Sequence, residues 1–150
     1  MYRNGRPIDS EFHQSERLFF RCKLDAVFEA DQLKPASVRF PDQSVNREKY
    51  GRCRDVLLPD ESPKSKNWIL WGVARIHVRD IPTEAKSSGG VAYQFAVEHD
   101  PQEDNYAHSE LRVYKNGQRE QGGKRINQQI KKEFRTRLAL SARVIVKPLI

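Results

Sequence analysis

Apolar residues recur at every second position through several short stretches of this chain, which is the spacing of half-buried strands. Leu18, Phe20, Cys22 and Leu24 alternate with other residues across 16–24, and Val91, Tyr93, Phe95 and Val97 do the same across 91–98. Leu111 and Val113 continue the pattern through 108–114. The longest candidate strand is 67–79, where Leu70, Ala74, Ile76 and Val78 share one face and Arg75, His77 and Arg79 share the other. Residues 36–40 read as a shorter strand closed by Pro41, and 143–150 turn β-branched and add a last one. Between these runs, 42–54 is polar and turn-rich, a loop or short helix, while 59–66 and 82–90 read as surface loops. Lys115-Asn116-Gly117-Gln118 is a turn signal, because Asn-Gly accepts the positive φ of a tight hairpin.

The period changes after Gly122-Gly123. Ile126, Ile130, Phe134 and Leu138 recur every four residues and trace a slowly drifting apolar stripe, so 124–142 is predicted to be a helix. Several strands followed by one helix make an α+β domain: a mainly antiparallel sheet of five or six strands with one major C-terminal helix packed on one face. Residues 1–14 read as a polar N-terminal arm and 15–150 as a single domain, a length able to bury one core.

Charge narrows the partners. Against 20 acids stand 27 Lys and Arg, a net charge of +7. That excess favours anionic partners, nucleic acid or an acidic protein surface. The most apolar stretch, 68–74, is too short to span a bilayer, so no membrane partner is expected and the chain reads as cytoplasmic. Cys22 and Cys53 form no CxxC pattern, which leaves two free thiols rather than a zinc site.

The candidate chemistry sits where strands 91–98 and 108–114 meet. In a hairpin, alternation sends Phe95, Val97, Leu111 and Val113 to the core and Glu98, His108 and Glu110 to the other face. With a loop over 99–107, Glu98 falls roughly opposite His108, and cross-strand neighbours lie about 5 Å apart at Cβ. Two carboxylates and an imidazole so placed can hold a divalent metal ion, or one carboxylate can orient His108 as a general base. His99, Asp100 and Asp104 lie nearby as further ligands, although strict alternation turns His99 toward the core. Ser109 points away from His108, which disfavours a Ser–His–acid nucleophile, and no G-x-S-x-G, H-E-x-x-H or Gly-rich phosphate loop occurs. Ser44, Asn46 and Arg47 have the chemistry of a phosphate or sugar site, but within 42–47 they read first as a capped turn.

Two basic surfaces remain. Along the predicted helix Lys124, Lys131 and Arg135 cluster, flanked by Arg125 and Lys132. Cations at a helix start oppose its dipole, so Lys124 and Arg125 beside a glycine pair suggest a phosphate site. Arg75, His77 and Arg79 supply the second surface, and Trp68, Trp71, Tyr93 and Tyr106 are available for stacking. The leading expectation is nucleic-acid binding, or docking in a nucleoprotein assembly, through the C-terminal helix. The alternatives are a metal-dependent phosphodiesterase or nuclease using Glu98, His108 and Glu110, and an adaptor for an acidic protein partner.

Overall fold

The computed structural model describes residues 1–23, 31–59, 68, 70–122 and 125–148. Its first strands, β1 (Tyr2–Arg3) and β2 (Arg6–Pro7), form a small hairpin. The remaining strands are β3 (Arg17–Cys22), β4 (Gln43–Arg47), β5 (Gly72–His77), β6 (Glu84–Lys86), β7 (Ala92–His99), β8 (His108–Lys115), β9 (Gln118–Arg119) and β10 (Arg143–Val146). They make one eight-stranded antiparallel sheet in the order β10-β5-β3-β4-β8-β7-β6, with β9 paired to β8. A single helix among the described residues, α1 (Gln128–Ser141), packs on one face. The fold is the predicted α+β architecture with a somewhat larger sheet.

The extra strands come from segments read as loops. β4 was hidden because its residues, Gln-Ser-Val-Asn-Arg, have turn-like character, yet they are held between β3 and β8. β6 borders β7 through three pairs inside the predicted loop 82–90. Conversely, 36–40 is not a strand, since Pro35–Ser37 winds a 3-10 turn. The long candidate 67–79 shortens to β5: Leu70 lies exposed in the preceding turn, and Val78–Asp80 is another 3-10 turn. Leu24 and Asn67, assigned to strands, and nearly all of the loop 59–66 lie outside the described residues.

The core lies between the inner face of the sheet and α1. Leu18, Phe20, Val45, Ile76, Leu111 and Val113 meet Ile130, Phe134 and Leu138 of the helix. Burying those three helix side chains contributes about 5–9 kcal/mol before chain entropy is set against it. α1 begins at Gln128 rather than 124 because the Asn127 side chain caps it, Oδ1 accepting the Ile130 N–H at 3.0 Å. On the outer face, the 3-10 segment Cys53–Leu57 lays Val56 over Phe19 and Val73, so Leu18, Phe19 and Phe20 are all buried. The Asn116-Gly117 turn between β8 and β9 has φ of 51° and 75°, as the sequence required. Cys22 is a buried free thiol and Cys53 a half-buried one.

The N-terminal segment is tied to the domain by Arg47, whose side chain is 0% exposed. Its guanidinium makes a bidentate pair with Glu16 at 2.7 and 2.9 Å. It also donates to the carbonyls of Asp9 and Glu11, both at 2.7 Å, and lies 3.9 Å over the Phe12 ring. Asp9 then receives Lys49 and Tyr50, which hold its carboxyl far below the usual range despite partial burial.

Candidate functional site

Alternation along β7 and β8 places the acids and the histidine where the sequence put them, on the outer face, but the register differs. Glu98 pairs with Glu110, and His99 pairs with Ser109. Ser109 is fully buried, turned inward from His108. The two-residue offset leaves Glu98 on the expected face but sends it toward Arg112 and Tyr114. Its carboxylate accepts from Arg112 Nη1 at 2.8 Å and from the Tyr114 hydroxyl at 2.6 Å. Burial pushes Glu98 up, but these two donors outweigh it and hold the carboxyl below its ordinary value.

Asp100 stands where the sequence reading placed Glu98. Asp100, His108 and Glu110 each offer one ligand atom, all within 4.8 Å of one another. His108 Nδ1 lies 2.7 Å from the Asp100 carbonyl oxygen, and Nε2 lies 3.2 Å from Glu110 Oε1. The Asp100 carbonyl and an ionised Glu110 both accept, an arrangement that favours a proton on each ring nitrogen. Burial opposes that charge, but Glu110 and the Asp100 carbonyl raise the ring above its usual value. Glu110 is correspondingly lowered: burial is outweighed by His108 and by the Ser44 hydroxyl, which donates to it at 3.0 Å.

His99 is its opposite. Turned inward by alternation and 5% exposed, it accepts the Asp9 N–H at Nδ1 (2.9 Å) and donates from Nε2 to the Tyr106 carbonyl (2.6 Å). Burial lowers its pKa, and the two bonds require the neutral Nε2–H tautomer. Both of its nitrogens are engaged, so His99 offers no lone pair to the cluster. Asp104 lies exposed in the loop beyond.

The triad fits a divalent ion in its donor set. Two carboxylates and an imidazole suit magnesium, manganese or zinc, and an Nδ1–H bonded to a carbonyl is how ligating histidines are commonly oriented. A metal would have to displace the Nε2 proton. It would also compete with Arg3, 2.7 Å from Asp100 Oδ1, and Arg112, 3.3 Å from Asp100 Oδ2. Without an ion, the same groups form a closed ion-pair network.

A second feature was not legible as a site in the sequence. The β3–β4 ladder holds only at Leu18↔Arg47 and Phe19↔Asn46. Beyond those pairs two clefts open, and Arg21 and Ser44 line both. One cleft, of about 440 Å³, gathers Lys23, Lys34 and Arg39 with Trp68 and Trp71. The other, of about 400 Å³, is lined by Arg6, Asn46, Tyr50, Asn105, Tyr106 and His108, among others. The cations of the first cleft lie far apart in sequence, at 21–23 and 34–39, so no linear pattern announced it. The tryptophans, three residues apart, were the one visible signal.

The predicted basic surfaces are placed differently. Lys124 lies outside the described residues, and Arg125 precedes the Asn127 cap, so it does not sit on the first turn of α1. Lys132 is exposed and Lys131 half-buried on the helix. Arg135 donates to the Val38 carbonyl at 2.6 Å, next in the chain to Ser37 and Arg39 of the larger cleft. Arg75 and His77 share the outer face of β5, His77 lying 4.0 Å from Asp80, but Arg79 has left the strand for the following turn. No helix among the described residues is long and apolar enough to cross a membrane. Comparison with known proteins finds no matching family, no matching curated protein and no matching solved structure.

Proposed function

We propose that this protein binds nucleic acid, alone or within a nucleoprotein assembly, and that the contact surface is the larger cleft rather than the C-terminal helix alone. The observation that carries the reading is the convergence of Arg21, Lys23, Lys34 and Arg39 with two tryptophans in one concavity, on a chain of net charge +7. Clustered cations attract phosphates, and the half-buried Trp71 supplies an indole face that bases of any sequence can stack on, backed by Trp68, which is 7% exposed and covered by Arg21. If Lys23, Lys34 and Arg39 each neutralise one phosphate, log K for a single strand falls with log salt at a slope of about −2. The test is anisotropy with labelled DNA and RNA across a salt series. Lys23→Glu/Arg39→Glu, both exposed positions, is expected to weaken binding and flatten the slope. Equal retention by the double variant would remove the cleft from the reading. Failure of the parent chain to bind any nucleic acid at low salt would remove the reading itself and favour an acidic protein partner.

A metal-dependent phosphodiesterase is the second reading, favoured by the Asp100–His108–Glu110 spacing and by the opening of His108 into the smaller cleft. In it, the three side chains would hold magnesium or manganese, and the ion would polarise a phosphate oxygen. Cleavage that needs the metal, stops with chelator and disappears in His108→Ala while binding persists would establish it. Intact products under every metal condition would exclude it.

A further inference from the structure

The two clefts share more than their common wall. Each contains an edge-to-face aromatic pair with ring centroids 4.7 Å apart, Trp68–Trp71 in the larger and Tyr50–Tyr106 in the smaller. Each pair has a guanidinium over one of its rings: Arg21 lies 3.9 Å from the Trp68 centroid, and Arg6 lies 4.2 Å from that of Tyr106. Arg21 and Ser44 belong to both clefts, so the two platforms stand on either side of these two side chains at the parting of β3 and β4.

Resting on the reading of nucleic-acid binding, we infer that the ligand is single-stranded and passes from one cleft to the other across Arg21 and Ser44, with unpaired bases against the aromatic rings of each. Three physical points carry this. The aromatic groups are concave, and a duplex, whose bases are stacked inside it, cannot present a base face to a recessed ring, whereas an unpaired base can. The element that would enter a duplex groove, α1, has its apolar side buried and part of its cationic side tied to protein. Arg135 is bonded to Val38, and Arg137 to the Glu84 carbonyl and to Glu133. The charge is also distributed unevenly. Lys23, Lys34 and Arg39 gather at the tryptophan end, whereas Asn46 and Asn105, joined by a 2.8 Å hydrogen bond, sit at the tyrosine end with Asp55 and Asp104. Phosphates therefore belong at the tryptophan end, and amide and carboxylate groups meet base edges or sugar hydroxyls at the tyrosine end.

The experiment compares one oligonucleotide, free and annealed to its complement, on the full chain. Tryptophan fluorescence and anisotropy are read together. The single strand is expected to bind at least tenfold tighter than the duplex and to quench the tryptophans. Trp71→Leu is expected to weaken single-strand binding by roughly 5- to 100-fold while leaving the duplex unchanged. Because Trp71 is half-buried, Lys23→Glu/Arg39→Glu serves as a second variant at exposed positions, and it must lower single-strand affinity with an unaltered circular dichroism spectrum. Duplex binding as tight as single-strand binding would overturn this inference while leaving nucleic-acid binding intact, and so would an unquenched tryptophan signal at saturation. No binding of either form would overturn both.

Discussion

Replacing Arg47 by Met removes the cation that holds residues 9–16 to the sheet. The side chain is fully buried, and the Glu16 side chain facing it is 6% exposed. The variant therefore leaves a carboxylate without its partner in a site that water barely reaches. Breaking one side of a buried pair costs about 3–5 kcal/mol, most of it the penalty on the group left behind. The Asp9 and Glu11 carbonyls also lose a donor, but Asp9 is half-buried and Glu11 exposed, so water replaces much of that loss. For a chain of this length the cost corresponds to a midpoint lowered by roughly 6–20 °C. Urea denaturation of Arg47→Met and of Arg47→Met/Glu16→Leu gives the measurement. The double variant should recover about 2 kcal/mol or more of the loss, because a buried pair replaced by apolar side chains no longer strands a charge. A cost below about 1 kcal/mol for the single variant, or a double variant no more stable than the single, would refute the clamp.

Opposite titration of the two hairpin histidines follows from their partners. His108, raised, contributes stability that is full below pH 6.5 and is lost as pH rises through its folded value. His99, lowered, contributes stability that is present above pH 6.5 and is lost as pH falls through its own. Nitrogen-resolved NMR should find His108 still doubly protonated, and His99 still the neutral Nε2–H tautomer, at pH 6.5; matching titrations would contradict both assignments. His108→Gln should accordingly cost more stability in mild acid than in mild alkali, and a pH-independent cost would break the link to Glu110. Glu98 and Glu110, both lowered, contribute stability above pH 4.5 that is lost as pH falls through their folded values. Replacing both by Gln should shallow the acid-unfolding curve, which an unchanged midpoint would rule out. At Gly72 an added Cβ would lie 2.7 Å from Pro148 Cδ and inside hard contact of the Val146 carbonyl oxygen. Gly72→Ala should therefore destabilise the chain by about 1–3 kcal/mol, as read by denaturant midpoint, with a neutral result showing that the 146–148 segment gives way.

Much of the hairpin was legible because alternation is a local property. Phe95 and Val113 went to the core and His108 and Glu110 to the outer face, on a period of two that needs no knowledge of neighbours. Register was not legible to the same accuracy. A slip of two residues preserves every face assignment, so nothing in the pattern separated Glu98 opposite His108 from Glu98 opposite Glu110. The hydrogen bond from the Asp100 N–H to the His108 carbonyl, at 3.0 Å, continues the pairing beyond His99 and brings in Asp100. β4 was missed for a related reason. Gln, Ser, Asn and Arg favour turns when judged by propensity, but this segment has β3 on one side and β8 on the other, and tertiary context decided.

By itself the sequence determined the class of fold, the inward and outward faces of its longer strands, the apolar stripe of its helix and the sign of its surface. These follow from side-chain period and composition, which act over a few residues at a time. Only the tertiary structure decided which side chains meet. Arg47 with Glu16, Ser44 with Glu110, and Lys23 with Arg39 in one cleft are meetings of segments well separated along the chain. Chain connectivity does not encode such distances locally. They are set when the packed core fixes the order and register of the sheet, and with them the charges and aromatic rings that each of its faces holds together.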